Sequence, residues 1–116
     1  MDRLKFRVYI KYAGIMCYDV NSFYIDRLKN KITIHFNDHT KTFKFDDVVL
    51  EQSTSLKDKN GKLIYEGDIL KNGKHIYPVE WCVNGFAVND GYDYLVDNEE
   101  WEVIGNIHEN TDLLEI

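Results

Sequence analysis

Two histidines have a spacing that could bind a metal ion. His35 and His39 stand at positions i and i+4, which converge on one metal ion only when both lie on a helix. The residues from Ile32 to Phe36 instead alternate in the way a strand does. Since no thiol or carboxylate with zinc-like spacing accompanies them, we interpret both as ordinary residues at the ends of a hairpin. We predict no metal site and no cofactor.

The cysteines give no sign of catalysis. Cys17 and Cys82 have no metal-like spacing and are too few for a disulfide framework, so we expect free, buried thiols in a reducing cytosol. Glu80 is the charged neighbour of Cys82, and a carboxylate does not lower the pKa of a thiol. With no nucleophile paired to a base, we predict a non-enzymatic protein without catalytic residues.

The segment from Asp90 to Glu100 has the residue types of a recognition surface. It places tyrosines among carboxylates, and tyrosine offers a binding partner rigid apolar area and a hydroxyl at a small entropic cost. The predicted partner-binding residues are Tyr92, Asp93, Tyr94, Asp97, Glu99 and Glu100. The alternative is that the two tyrosines, which share strand parity, belong to the core while the acids only solvate a loop.

The net charge of −6 is distributed unevenly along the chain. Residues 1–52 hold nine Lys/Arg against seven Asp/Glu, whereas residues 53–116 hold five against thirteen, a net of −8. From His75 onward there are ten acidic side chains and no Lys or Arg. Such a segment repels phosphate, so we expect a basic protein partner, or self-association into a homo-oligomer through the +2 half of another copy.

Nucleic-acid binding by a small barrel is the alternative function. The first third of the chain contains a basic strip, made of Lys5, Arg7, Lys11, Arg27, Lys29 and Lys31. The overall negative charge opposes this function unless the strip is concentrated on one face.

Short strands must position these residues. Ile, Val, Thr and aromatic residues are abundant and Ala occurs twice, which predicts an all-β fold. Phe6, Val8, Ile10 and Tyr12 alternate with polar residues and predict a first strand with Arg7 on its wet face. The next predicted strands of this N-terminal meander are 15–20, 23–28, 32–36 and 40–45. Residues 46–51 fit either a further strand, which we prefer, or a capped helical turn.

Turn residues divide the rest of the chain. Asn60-Gly61 predicts a hairpin tip. A strand is predicted from His75 to Val83, and the residues on one of its faces are Tyr77, Val79, Trp81 and Val83. Pro78 predicts that this strand is bulged or at an edge. Thr111 is placed to cap a short closing helical turn. Such short strands favour a small closed barrel. We predict a single domain over 1–116, with a hairpin region over 1–52 packed with a barrel over 53–116.

Three motifs resemble those of the YopX family. The central one runs from Leu56 to Ile69 (LKDKNGKLIYEGDI), the opening one is Lys5-Phe6-Arg7, and the closing one runs from Glu102 to Asn110. This chain has Ser55 where the family commonly has Gly. The resemblance implies an SH3-type barrel for the C-terminal half, an origin in phages or prophages, and no particular activity. The motif residues, which we expect to be structural, are Asp58, Asn60, Gly61, Tyr65, Glu66, Gly67, Asp68, Gly105 and Asn106.

The N-terminus is charged, and no apolar run approaches the roughly 20 residues of a membrane span. We therefore expect no signal peptide and no membrane segment, and a location in the cytoplasm of a bacterial host.

Overall fold

The computed structural model of the protein describes residues 4–82, 85–88, 93–95 and 100–114. The chain forms two compact units. The N-terminal unit is Lys5–Gln52, and the C-terminal unit contains Leu4 and the described residues from Ser53 onward.

The described residues form strands and two short 3₁₀ helices, which confirms the all-β prediction. The strands are β1 (Phe6–Ile10), β2 (Ile15–Asp26), β3 (Lys31–Phe36), β4 (Thr40–Lys44), β5 (Val48–Lys57), β6 (Leu63–Tyr65), β7 (Asp68–Asn72), β8 (His75–Pro78), β9 (Glu80–Cys82), β10 (Gly85–Val88), β11 (Asp93–Tyr94) and β12 (Glu102–Asn106). The 3₁₀ helices are Phe45–Asp47 and Thr111–Leu114, and the second confirms the predicted closing turn. None of the described helices is long and apolar enough to cross a bilayer.

The N-terminal unit is an antiparallel meander in which β4, β3, β2, β1 and β5 lie side by side. The two strands predicted over 15–20 and 23–28 are one strand, β2, because pairing with β3 shifts from Val20 opposite Phe36 to Ser22 opposite His35. Asn21 is thus the extra residue of a β-bulge rather than a turn. The preferred strand forms from Val48 onward, and the residues before it form a 3₁₀ turn that has no side-chain cap, so the capped turn is not found.

Alternate residues of these strands form the core of the N-terminal unit. The buried members are Val8, Ile32, Ile34, Phe36, Phe43 and Val48. The period of two that predicted β1 and β3 therefore places apolar side chains on one face, as expected. At the margin, the rings of Phe6 and Phe23 pack edge to face with centroids 5.0 Å apart.

Arg7 is an exception to the predicted alternation of buried and exposed residues. Its side chain is 1% exposed, so its predicted place on a wet face is wrong. Arg7 lies opposite Glu51 in the β1–β5 pairing, and its Nε donates to Glu51 Oε1 at 2.9 Å. A carboxylate 44 residues away thus stabilises the buried guanidinium, as a charge out of water requires.

The C-terminal unit has its own core. Its strands form the sheets β12-β7-β8 and β11-β10-β9, and the last part of β5 pairs with β6. The buried apolar residues are Ile64, Leu70, Val79, Val88, Leu95 and Trp101. A closed SH3-type barrel stays a prediction.

The strand predicted from His75 to Val83 ends early and restarts. Val79 separates β8 from β9, because its N–H donates to the carbonyl of Asp68 and its own carbonyl accepts from the N–H of Gly67. Strand β8, which ends at Pro78, is at the edge of its sheet, which confirms the prediction from proline. Val83 lies outside the described residues.

Candidate interaction surface

The central motif is organised around the carboxylate of Asp58. Oδ1 accepts the backbone N–H groups of Asn60 and Lys62 at 2.8 and 2.9 Å, and Oδ2 accepts that of Val103 at 2.9 Å. Burial alone raises the pKa of Asp58, but the three amide donors more than offset it, and the pKa lies below its usual value. Asp58 therefore ties the β5–β6 hairpin tip to β12, while Gly61 supplies the positive φ of +83° that the tip needs.

The turn after β6 is held by a second buried aspartate. Asp68 is 2% exposed, and its Oδ2 accepts the N–H of Tyr65 at 2.8 Å. Between them Gly67 adopts a φ of +85°, and its carbonyl accepts the N–H of Ile107 at 2.9 Å. Glu66, the remaining motif residue of this turn, is partly buried.

In the closing motif, asparagine side-chain oxygens accept backbone N–H groups, as the aspartates do in the central motif. Asn106 Oδ1 accepts the N–H groups of His108 and Glu109, while the N–H of Asn106 donates to Asn110 Oδ1 at 3.1 Å. Gly105 leaves room for Asn110, because a Cβ at Gly105 would lie 2.6 Å from Asn110 Oδ1. The structure thus places these motif side chains against the chain's own backbone.

Of the predicted partner-binding residues, Tyr92, Asp97 and Glu99 lie outside the described residues. Asp93 and Tyr94 form β11, which pairs with β10 so that Tyr94 is opposite Ala87 and Asp93 is opposite Val88. Glu100 is exposed.

Trp81 is an aromatic side chain on this sheet that the sequence pattern misassigned. It is 60% exposed whereas Val79 is 2% exposed, so the prediction that Val79 and Trp81 share one face is wrong. The Trp81 ring contacts Phe86 of β10 edge to face, with centroids 4.8 Å apart. Phe86 in turn packs against the core of the C-terminal unit. The exposed indole therefore packs on a partly buried phenylalanine that contacts the core.

Glu80 and Trp81 are consecutive residues of β9, so their side chains point to opposite faces of the sheet. Glu80, next to Trp81 on β9, is exposed and lies opposite Ala87, which lies opposite Tyr94 of β11. We call strands β9, β10 and β11 with the exposed Trp81 the Trp81 surface. The sequence signal nearest to it is Pro78, because a proline marks a strand that is bulged or at an edge, where regular alternation is less certain to continue.

The C-terminal unit that carries the Trp81 surface has an acidic sequence. Glu80 and Glu100 are exposed, and the chain contains no Lys or Arg from His75 onward. Glu102 differs, because Lys71 of β7 lies directly opposite it.

The two histidines have local hydrogen bonds instead of a shared ligand. His35 Nδ1 lies 2.8 Å from Thr40 Oγ1, and His39 Nδ1 lies 2.6 Å from Asp38 Oδ1. The hydrogen bond and charge of His39 lower the pKa of Asp38. Within the described residues, no three His, Cys, Asp or Glu side chains are grouped so that they could hold a metal ion.

The basic strip is interrupted by the burial of Arg7 with Glu51. The exposed members of the strip are Lys5, Lys11, Arg27 and Lys29, and Lys31 is partly buried. The prediction that Arg7 contributes to an exposed basic strip is wrong.

Comparison with known proteins identifies the family to which the motifs belong. The family model described as YopX protein matches residues 5–115. The chain belongs to the YopX family. The resemblance seen in the sequence motifs is thereby confirmed for this YopX-family chain. No curated protein matches it significantly.

A solved structure shares the fold of this YopX-family chain. The crystal structure of protein EF1440 from Enterococcus faecalis superimposes with a TM-score of 0.71 at 27% sequence identity. The match covers 99% of this chain and 100% of the other.

Proposed function

We propose that this YopX-family protein is a non-enzymatic interaction module of phage or prophage origin that acts in the bacterial cytoplasm. Its acidic C-terminal unit binds a basic segment of a partner protein, and the Trp81 surface is the contact. The observation that carries the proposal is the 60% exposure of Trp81 in a unit whose sequence is strongly acidic.

The exposed indole can supply much of the binding free energy. A tryptophan side chain buries roughly 150–250 Å² when covered, so a side chain that is 60% exposed leaves about 100–150 Å² for a partner. At about 25 cal/mol per Å², covering that area contributes about 3 kcal/mol. Tryptophan is also among the residue types that dominate measured interface energies.

The chemistry of the surface selects the partner. The indole face attracts Arg and Lys cations more strongly than other aromatic side chains do, and the net charge of −8 over residues 53–116 attracts the same cations at longer range. An arginine-containing segment therefore suits both the exposed indole and the acidic unit that carries it. A phosphate-bearing partner would be repelled by the acids that follow His75.

The motif contacts support a non-enzymatic role. Asp58 Oδ1 and Oδ2 accept three backbone amides, and Asn106 Oδ1 accepts two. General acid–base or nucleophilic catalysis needs side chains that reach a substrate, whereas these carboxylate and amide groups bond the chain itself.

The test uses a fluorescein-labelled nine-residue arginine–glycine peptide and the full-length protein. Binding is followed by fluorescence anisotropy from 20 to 500 mM salt. Trp81→Ala should raise Kd at least about tenfold, and Glu80→Gln should reduce the salt dependence of binding. Tyr24→Ala is the matched control, because Tyr24 is 58% exposed but belongs to the N-terminal unit.

Two results would contradict the proposal. One is that the wild-type protein does not bind the peptide at 20 mM salt. The other is that Trp81→Ala and Tyr24→Ala weaken binding equally, which would show that any exposed aromatic residue suffices.

A further inference from the structure

The turn between β2 and β3 presents a leucine to solvent. Leu28 is 100% exposed. The turn that carries it is defined by Asp26, whose Oδ1 accepts the N–H of Lys29 at 3.2 Å, and by Asn30, whose φ is +53°. A fully exposed leucine on an ordered turn gains free energy from any contact that covers it.

A groove lies beside this leucine in the N-terminal unit. It has a volume of about 310 Å³. Its lining residues are Ile25, Asp26, Arg27, Asn30 and Phe45. Its apolar part is only half covered, since Ile25 is 41% and Phe45 is 42% exposed. The N–H of Phe45 donates to the carbonyl of Asn30 at 3.0 Å, which fixes Phe45 beside the turn.

We propose that this turn is a self-association site, in which Leu28 of each copy enters the Ile25–Phe45 groove of a second copy. A two-fold contact requires that one patch carry both the protruding group and its receptor. Leu28 stands between Arg27 and Asn30, both of which line the groove. Because it is fully exposed, it does not fill the groove of its own chain.

The charges of the groove favour a second copy as its occupant. One acid, Asp26, and one base, Arg27, line it side by side. Arg27 makes no ion pair with any residue that the structure describes. In a two-fold dimer, Asp26 of each copy can face Arg27 of the other copy, which gives two ion pairs. A uniformly basic or acidic partner would instead meet a like charge.

The contact is small, so the association is weak. A hairpin tip and a groove with five lining residues cover less than the roughly 1,200 Å² of a standard interface. We expect a Kd on the order of 0.1–1 mM.

The experiment is sedimentation equilibrium of the full chain from about 10 μM to 1 mM. The wild type should show a weight-average mass that rises toward that of a dimer, and Leu28→Asp should raise Kd at least about tenfold. Leu4→Asp is the matched control, since Leu4 is 56% exposed and lies in the other unit. Trp81→Ala should leave the association unchanged, which separates this contact from the proposed function.

Charge reversal provides a second, independent readout. Asp26→Lys and Arg27→Glu should each weaken self-association, because like charges then face each other across the axis. An equimolar mixture of the two variants should associate better than either variant alone, since each Lys or Arg again faces a carboxylate. A wild type that stays monomeric at 1 mM would overturn the proposal. So would a dimer that Leu28→Asp leaves intact, or a mixture that associates no better than either variant alone.

Discussion

Replacing Asp58 by Asn tests whether one carboxylate holds the central motif together. Asn keeps an oxygen that can accept from Asn60 and Lys62, but its amide group then faces the N–H of Val103, which Asp58 Oδ2 accepts at 2.9 Å. Two donors cannot bond each other, so the partly buried Val103 amide loses its partner at a cost of about 1–3 kcal/mol. Loss of the negative charge weakens the other two bonds. We expect Asp58→Asn to lower the free energy of unfolding by about 2–4 kcal/mol in total.

The pH dependence of this loss has a definite sign. Because the folded-state pKa of Asp58 is lowered, its stabilisation is fully present above the unfolded-state pKa of about 3.9. It disappears as the pH falls through the folded-state pKa. The difference in unfolding free energy between wild type and Asp58→Asn should therefore shrink below about pH 4.

Urea unfolding at several pH values measures both effects. Trp101 is a suitable fluorophore, since it is 9% exposed and its carbonyl accepts the N–H of Lys59 beside Asp58. Asp112→Asn, an exposed carboxylate of the same unit, is the control and should change stability by less than about 0.5 kcal/mol. If the two variants unfold at the same urea concentration at pH 7, or if the Asp58→Asn loss is undiminished at pH 3, the reasoning is wrong.

Two further substitutions follow from backbone geometry in the motifs. Ser55 lies in the β5 bulge with a φ of +66°, where an L side chain is strained. Ser55→Gly should therefore raise the free energy of unfolding, measured in urea, by up to about 1 kcal/mol. A loss of stability would contradict this. Gly105→Ala should lower stability by about 1–3 kcal/mol in thermal melts, because its Cβ would lie 2.6 Å from Asn110 Oδ1. Combined with Asn110→Ala, the same change should cost less than the sum of the two single losses, and strict additivity would exclude the clash.

Local alternation predicted those parts of the fold in which neighbours in sequence decide the outcome. The strand β3 is the clear case, because Ile32, Ile34 and Phe36 all enter the core that their parity indicated. Local alternation did not predict the bulge at Asn21. Whether Asn21-Ser22 ends a strand or forms a bulge depends on the neighbouring strand, and β3 pairs with β2 on both sides of Asn21.

Contacts between distant residues explain the other errors. Arg7 looked like a solvent-facing base until Glu51, 44 residues later, was placed opposite it. Trp81 was predicted on the same face as Val79, but Val79 bonds Asp68 and Gly67 and separates β8 from β9. Neither pairing leaves a periodic trace in the sequence, so alternation alone could not reveal the exposed indole.

The motif geometry also separates folding from recognition in this protein. The carboxylate of Asp58 and the side-chain oxygen of Asn106 bond the chain's own amides, so their replacement should act through stability. Trp81 and Leu28 are 60% and 100% exposed, so their replacement should change binding while the free energy of unfolding stays within about 0.5 kcal/mol of the wild type. A partner lost by Asp58→Asn should therefore return under conditions that restore folding, whereas one lost by Trp81→Ala should not. That difference distinguishes a recognition residue from a residue that only maintains the scaffold.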